Sequence, residues 1–280
     1  MEAGKYRPND LILYNKDVFS AQKQEDLYTL QKNGKLTTAK LIEIMRAISG
    51  NIGKPSAAVD VYPFNLHIGL VHAYGGTLVS KKDGTLDFTN NINSTVVSNA
   101  FKDAQKLIND GIVESSTGGS GWTYAREQFL KGNYPILIGN GNIENIAANC
   151  SFNLGACVFP TSDGGKTYAE YDLQWAAIPY NASKPHDIAL VWNDMADVIF
   201  DVNYKSRYQD IVSSDIMEMM NAQSDYIVKN GFNMDYYGAI DIWSDGVGGV
   251  FNQMVAGTVT PANAIQTVEP LINAKLKSLK

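Results

Sequence analysis

The chain has 280 residues, 45% hydrophobic and 19% charged, enough length and apolar content for one or two folded domains; intrinsic disorder and a stapled mini-protein are both excluded. Its formal charge of −6 comes from 23 basic and 29 acidic residues. The basic residues gather only in the thin C-terminal run Lys275, Lys277 and Lys280, so a phosphate backbone is repelled and nucleic acid is not an expected partner.

Leu11-Ile12-Leu13-Tyr14 is a short apolar run that predicts a strand buried on both faces. After Asn33-Gly34, Thr37 or Thr38 can cap a helix whose Leu41, Ile44, Met45 and Ile48 recur at helical spacing, with Gly50 expected to stop it. Residues 62–74, with Tyr62, Phe64, Leu66, Ile68, Leu70 and Val71, are apolar on all sides and predict a buried helix leading to Gly75-Gly76. Alternation from Gly76 to Phe88 around Lys82-Asp83-Gly84 predicts a β-hairpin. From Ser94 to Asp110, the positions Val97, Ala100, Phe101, Ala104, Leu107 and Ile108 share one helical face, and Gly111 closes the helix.

Ser115 to Gly121 has the composition of a mobile loop. Beyond it the pattern predicts a helix near 124–131, a strand near 135–138, a helix opening near Asn142, and strands near 154–159 and 175–178. A helix begins around Lys184-Pro185, and two or more helices run on to residue 230. Pro261 opens the last helix, with Ala264, Ile265, Val268, Leu271 and Ile272 as its apolar stripe and Lys275 and Lys277 at its negative end. Strands alternating with helices indicate an α/β sheet with helices packed on its faces.

Cys150 and Cys157 are the two cysteines, too few for a disulfide scaffold or a zinc site built mainly from thiolates. Their spacing allows a bond across a short loop; two small buried thiols are the commoner arrangement. No apolar run is long enough to span a bilayer. Lys5, Arg7, Asp10 and Asp17 interrupt residues 1–20 where a secretory signal needs a continuous apolar stretch, so any export signal is expected outside this chain.

Gly139-Asn140-Gly141-Asn142-Ile143-Glu144 lies between a predicted strand and a predicted helix. A dinucleotide fingerprint wants a third glycine where Glu144 stands, so a glycine-rich turn is the better reading, and a nucleotide-dependent enzyme using this turn ranks as a minor alternative. The free amides of such a turn, with the side chains of Asn140 and Asn142, suit the hydroxyls of a neutral polyol. Asp241 to Gly246 imitates the opening of a calcium loop, but Trp243 takes a ligand position and Asn252 stands where a bidentate Glu is needed. Ser120 lacks the closing glycine of a nucleophile elbow. His67, His72 and His186 have no metal-ligand spacing, and imidazoles satisfied within the fold are expected. Neither a metal, a cofactor nor catalysis is therefore expected. Aromatic residues are plentiful, with 15 Tyr and 4 Trp, and Tyr62, Trp122 and Trp243 sit in settings where a ring can stack on a sugar face.

In order of motifs the chain resembles the extracellular solute-binding proteins of ABC importers, in the carbohydrate-binding family that includes maltose-binding protein. Tyr14-Asn15-Lys16-Asp17-Val18-Phe19 is similar to that family's Tyr-Asn-Lys-Asp-x-Phe segment and is the most specific match. Asn33 to Thr37, Gly75-Gly76 through Asp83-Gly84, Phe129 to Gly132 with Ile136 to Gly139, Val158-Phe159-Pro160, and Gly257 to Ile265 resemble successive family segments across nearly the whole chain. The resemblance implies a type II periplasmic-binding-protein-like α/β fold that binds a sugar or oligosaccharide outside the cytoplasm and hands it to a membrane permease. It places Tyr62, Asn142 and Trp243 near positions of sugar contact.

Two departures bear on the site. Asn142 stands where the family commonly has Trp, and Leu36 and Ala39 fall in a segment usually richer in aromatics. In the family, moreover, the Tyr-Asn-Lys-Asp segment follows a long region that builds most of the first lobe, whereas here it comes almost at once. The expected organisation is accordingly a C-terminal-lobe-like domain over 1–180, a helical segment over 181–230 that normally packs on the other lobe, and a return to the first domain over 231–280. That segment is expected to expose apolar surface or to find a replacement partner, and self-association through it, in a non-transport interaction or structural protein, is the alternative function.

Overall fold

The computed structural model describes residues 11–60, 64–82, 85, 87–114, 123–139, 143–162, 181–192, 194–195, 210–230, 235–240, 242 and 246–279. Its strands are β1 (Leu11–Asn15), β2 (Ala57–Val59), β3 (Val79–Lys81), β4 (Phe88–Asn90), β5 (Val113–Glu114), β6 (Ile136–Ile138) and β7 (Leu154–Val158). The helices are α1 (Lys16–Ala21), α2 (Leu27–Lys32), α3 (Thr38–Ile52), α4 (Asn65–Ala73), α5 (Thr95–Asn109), α6 (Tyr124–Leu130), α7 (Ile143–Asn149), α8 (Ser214–Asn230), α9 (Val247–Val255) and α10 (Pro261–Ser278). A further helical stretch covers 185–192.

Successive side chains on a strand point to opposite faces, so a run apolar at every position needs cover on both. In β1 this division is complete: Ile12 and Tyr14 enter one core layer, Leu11 and Leu13 the other. The neighbouring strands follow suit. Ala57, Val59, Ile136, Ile138 and Cys157 join Ile12 and Tyr14, while Ala58, Leu137, Ala156 and Val158 join Leu11 and Leu13. The sheet order is β5-β2-β6-β1-β7. β1 runs antiparallel to β6 and β7, and β2 runs parallel to β5 and β6. The layer on the Ile12 face draws on α3, α4, α5, α9 and α10, and the layer on the Leu11 face on α6, α7 and α8. This is a mixed sheet flanked by helices, as expected.

The helices start where the sequence supplies caps. Asn15, Asp26, Thr37, Ser94 and Thr260 each accept a hydrogen bond from a backbone N–H in the first turn that follows, satisfying donors that the helix itself leaves unpaired. Two details differ from expectation. α3 passes through Gly50 and ends at Gly53, whose φ of 66° provides the left-handed cap that Gly50 does not. In α10 the buried stripe follows four-residue steps through Ala264, Val268, Ile272 and Leu276, which leaves Leu271 44% exposed. The hairpin forms from β3 and β4. The strand expected near 175–178 lies outside the described residues.

Within the 181–230 segment, read above as helices that normally pack on the other lobe, α8 packs on the sheet of this chain. Its Ile216, Met219 and Met220, with the preceding Val212, are buried beside Ala156 and Val158. The 185–192 stretch differs: Leu190, Val191 and Trp192 are all more than half exposed, at 51%, 58% and 51%.

Both cysteines are free thiols; Cys157 is buried and Cys150 partly so. Burial pushes each thiol up from its ordinary value, which keeps it protonated and poorly nucleophilic at neutral pH. In the native protein a thiol reagent such as DTNB is expected to label Cys150 slowly and Cys157 only after denaturant is added; rapid labelling of two thiols contradicts the packing.

Tyr14 lies across the ladder from Gly155. Its hydroxyl donates to Asp26 at 2.7 Å and accepts from the Tyr28 N–H at 3.1 Å, and burial holds the phenol far above its usual range. A Cβ on residue 155 would stand 2.3 Å from the Tyr14 Cζ. Gly155→Ala should therefore cost about 1–3 kcal/mol, the usual penalty of overpacking, read as a lower urea midpoint at an unchanged m-value.

Candidate functional site

Because β1 is antiparallel to both β6 and β7, and β2 and β5 are parallel to β6, the C-terminal ends of β5, β2, β6 and β7 lie along one edge of the sheet. Ligands of open α/β sheets bind outside such carboxyl ends, where adjacent loops diverge. Three of the segments leaving this edge contain expected site residues: Tyr62 follows β2, Trp122 follows β5 and precedes α6, and Asn140 and Asn142 follow β6. Trp243 follows Ile242, which is buried in the same apolar layer as Phe64. Tyr62, Trp122, Asn140, Asn142 and Trp243 themselves lie outside the described residues; what the structure gives is the framework on either side of each.

That framework is tied together by polar contacts. Asp60, directly after β2, is fully buried, and its carboxylate accepts from Arg126 Nη2 on α6 at 2.9 Å. The Asp60 N–H donates to the carbonyl of Ile138 at 2.9 Å, and its own carbonyl accepts from Asn65 Nδ2 at 3.4 Å. Asn65 in turn lies against Gly139, where an added Cβ would meet its Cβ at 3.3 Å and where φ is 82°. Gly139 is thus required by the turn after β6 and by the close approach of α4, which accounts for it without a nucleotide. One turn further, Phe64 stacks on Phe251 of α9 with ring centroids 4.2 Å apart and planes 9° apart, so the segment carrying Tyr62 and the helix just after Trp243 share an aromatic contact.

The Asp60–Arg126 pair was not among the residues expected from sequence. The two are 66 positions apart, and β2 is three small residues long, so neither periodicity nor a motif signals the pairing. Two of the three histidines fit the expected internal roles: His72 Nε2 lies 3.1 Å from the Asp235 carboxylate, and His67 is buried, stacked against Phe64; His186 departs from expectation, standing exposed at the start of the 185–192 helical stretch. Asp235 also accepts from the N–H groups of Leu78 and Val79 at 2.6 and 2.9 Å, which fixes the start of the hairpin to α4. Among the described residues no group of three or more His, Cys, Asp or Glu could hold a metal ion. No described helix is long and apolar enough to cross a membrane.

An open cavity of about 380 Å³ lies between the end of α4, α5 and the chain beyond β7, lined by Tyr74, Thr95, Val96, Asn99, Asp103 and Ser162 among others. Its polar groups are partly engaged with each other, the Tyr74 hydroxyl donating to Asp103 at 2.7 Å. The strand-end framework, with its buried charge pair and converging segments, is the stronger candidate.

Removing one member of a buried ion pair strands the other in a low-dielectric setting, at a cost of about 3–5 kcal/mol. Asp60→Ala should therefore destabilise the fold by that order in chemical denaturation. Glu218→Ala, which breaks a pair with Lys32 whose side chains are 58% and 51% exposed, should leave the midpoint unchanged within error.

No family model and no curated protein matches the sequence significantly. Solved structures do match in fold. The sugar-binding protein MalE from Xanthomonas citri aligns with a TM-score of 0.66 at 13% identity, over 98% of this chain and 70% of its own. UgpB from Mycobacterium tuberculosis, in complex with glycerophosphocholine, aligns with 0.66 at 14% identity over the same shares. A cyclo/maltodextrin-binding protein complexed with maltotetraose aligns with 0.63 at 16% identity, over 99% of this chain and 71% of its own. Identities this low speak to architecture alone. With its mixed sheet, its helical layers and an alignment over almost its whole length, the chain has the type II periplasmic-binding-protein-like fold of these sugar- and solute-binding proteins.

Proposed function

We propose that this chain is an extracytoplasmic solute-binding protein that takes up a sugar or oligosaccharide at the C-terminal edge of its sheet and presents it to an ABC-type permease. The observation that carries the reading is the convergence of three strand ends on that edge, each feeding a segment that bears Tyr62, Trp122, or Asn140 and Asn142. Aromatic faces for stacking and neutral amides for hydroxyls are the chemistry a carbohydrate needs. The ligands named for the neighbouring structures, maltotetraose among them, favour the same class. Trp243 is placed in the site by the same reading, through its neighbour Ile242.

Titrating the full chain with a panel of mono- and oligosaccharides while following tryptophan fluorescence should give a saturable change for at least one of them. Trp122→Ala or Trp243→Ala should reduce that change and weaken binding about tenfold, the order expected for losing one stacking contact. Silence toward the whole panel sinks the carbohydrate assignment.

A second reading, a protein that assembles through its surface, is favoured by one observation. Ile188, Leu190, Val191, Trp192 and Met195, close together in sequence, are each 44–58% exposed, and clustered exposed apolar side chains of this kind mark interaction surfaces. Light scattering separates the two: a stable homo-oligomer without sugar affinity supports assembly as the function, and a sugar-binding monomer removes it.

A further inference from the structure

We infer that Asp60 is a specificity-determining residue that masks the charge of Arg126 at the ligand edge and so excludes anionic solutes. This rests on the reading of that edge as the binding site. A neutral polyol is held by amides, hydroxyls and ring faces, whereas a phosphate or carboxylate needs a cation whose charge is not already cancelled. Arg126 stands where such a cation would act, but Asp60 compensates its charge. It lies in the first turn of α6, directly after the segment carrying Trp122, and it reaches Asp60, directly before the segment carrying Tyr62.

The guanidinium is mostly buried, its side chain retaining 17% exposure, while the Asp60 side chain has none. A solute at this edge therefore meets a pair of zero net charge whose negative member is inaccessible. Arg126 Nε is buried without a hydrogen-bond acceptor among the described residues, so the guanidinium keeps a donor beyond the one spent on Asp60. The same pair has a positioning role, since it joins the end of β2 to α6 and, through the Asp60 N–H and carbonyl, to Ile138 of β6 and Asn65 of α4. Asp60→Asn keeps a side-chain oxygen to accept from Nη2 but withdraws the carboxylate charge. It leaves the Arg126 guanidinium without its compensating charge while keeping an acceptor for its hydrogen bond.

The test compares wild type, Asp60→Asn, and Asp60→Asn with Arg126→Gln, all as the full chain. Each is titrated calorimetrically with inorganic phosphate and, separately, with maltotetraose, at low and high salt. Wild type should give no phosphate binding. Asp60→Asn should gain phosphate affinity by about tenfold or more over wild type, the order of one charge-assisted hydrogen bond, and lose it at high salt; the double variant should lose the gain. Phosphate binding by wild type comparable to that of Asp60→Asn overturns the inference, as does a folded Asp60→Asn that remains silent to phosphate. Should Asp60→Asn not fold, wild type alone decides: saturable phosphate binding overturns the masking, and its absence at both salt concentrations upholds it. Failure of the carbohydrate reading looks different, as silence toward maltotetraose and the sugar panel in every variant, and leaves the phosphate comparison readable.

Discussion

A sheet buried on both faces has no room for solvated polar groups except at its strand ends, and most of this molecule's organisation follows from that constraint. β1 sets it, with all five residues buried and its side chains divided between two apolar layers. The strands on either side, β6 and β7, alternate in step with it, and so does β2 beyond β6, with Ala57 and Val59 facing one layer and Ala58 the other. Backbone amides inside the sheet are satisfied by the ladder. What remains free to recognise a solute is the set of segments leaving the carboxyl edge, and parallel strands separated by helical crossovers bring those segments together.

The opposite edge is closed by a different chemistry. At the C-terminal end of β1, Tyr14 bonds to Asp26 and Tyr28, and Lys16 pairs with Asp215 at the start of α8. Gly155 leaves the space that the Tyr14 ring occupies. These contacts lock β1, β7, α2 and α8 into one block. The ion pair contributes to orientation more than to stability, because its side chains keep about a third of their exposure. At the carboxyl edge, by contrast, Asp60 has no exposure at all, so the pair there is electrostatically strong and sensitive to loss of either member. One edge is fixed by packing and hydrogen bonds. The other is fixed by a charge pair beside the segments that would touch a ligand.

How much of this was legible in the sequence depended on length and on residue type. β1 was readable because four large apolar residues in succession admit few interpretations, and α5 because its stripe spans four turns. β2 was not, since Ala57, Ala58 and Val59 carry little hydrophobic signal and follow Pro55-Ser56; β5 has two residues. Helix ends were legible where a side chain caps them, as at Thr37 and Ser94, and less so where backbone conformation decides, as between Gly50 and Gly53. At the candidate site, composition drew attention to the turn beginning at Gly139. The Asp60–Arg126 contact depended on which strand lies beside which helix, information that enters only with the three-dimensional arrangement.

The low identity of the structural neighbours fits this division of labour. The core demands only apolar volume in alternation, and many residue choices meet that demand, so the fold persists at 13–16% identity. Ligand choice is not constrained in the same way. The same architecture holds maltotetraose in one neighbour and glycerophosphocholine in another, one without ionic groups and the other a zwitterion that joins a phosphodiester to a quaternary ammonium. A difference of that kind cannot reside in the sheet, which is apolar on both faces. It must lie in a small number of polar side chains at the strand ends, because a single uncompensated or compensated charge in a partly desolvated site outweighs many neutral contacts. In this chain Arg126 is a cation held at that edge and Asp60 a carboxylate that compensates it, and under the inference drawn above the state of this pair bears on whether an anionic group can be held there.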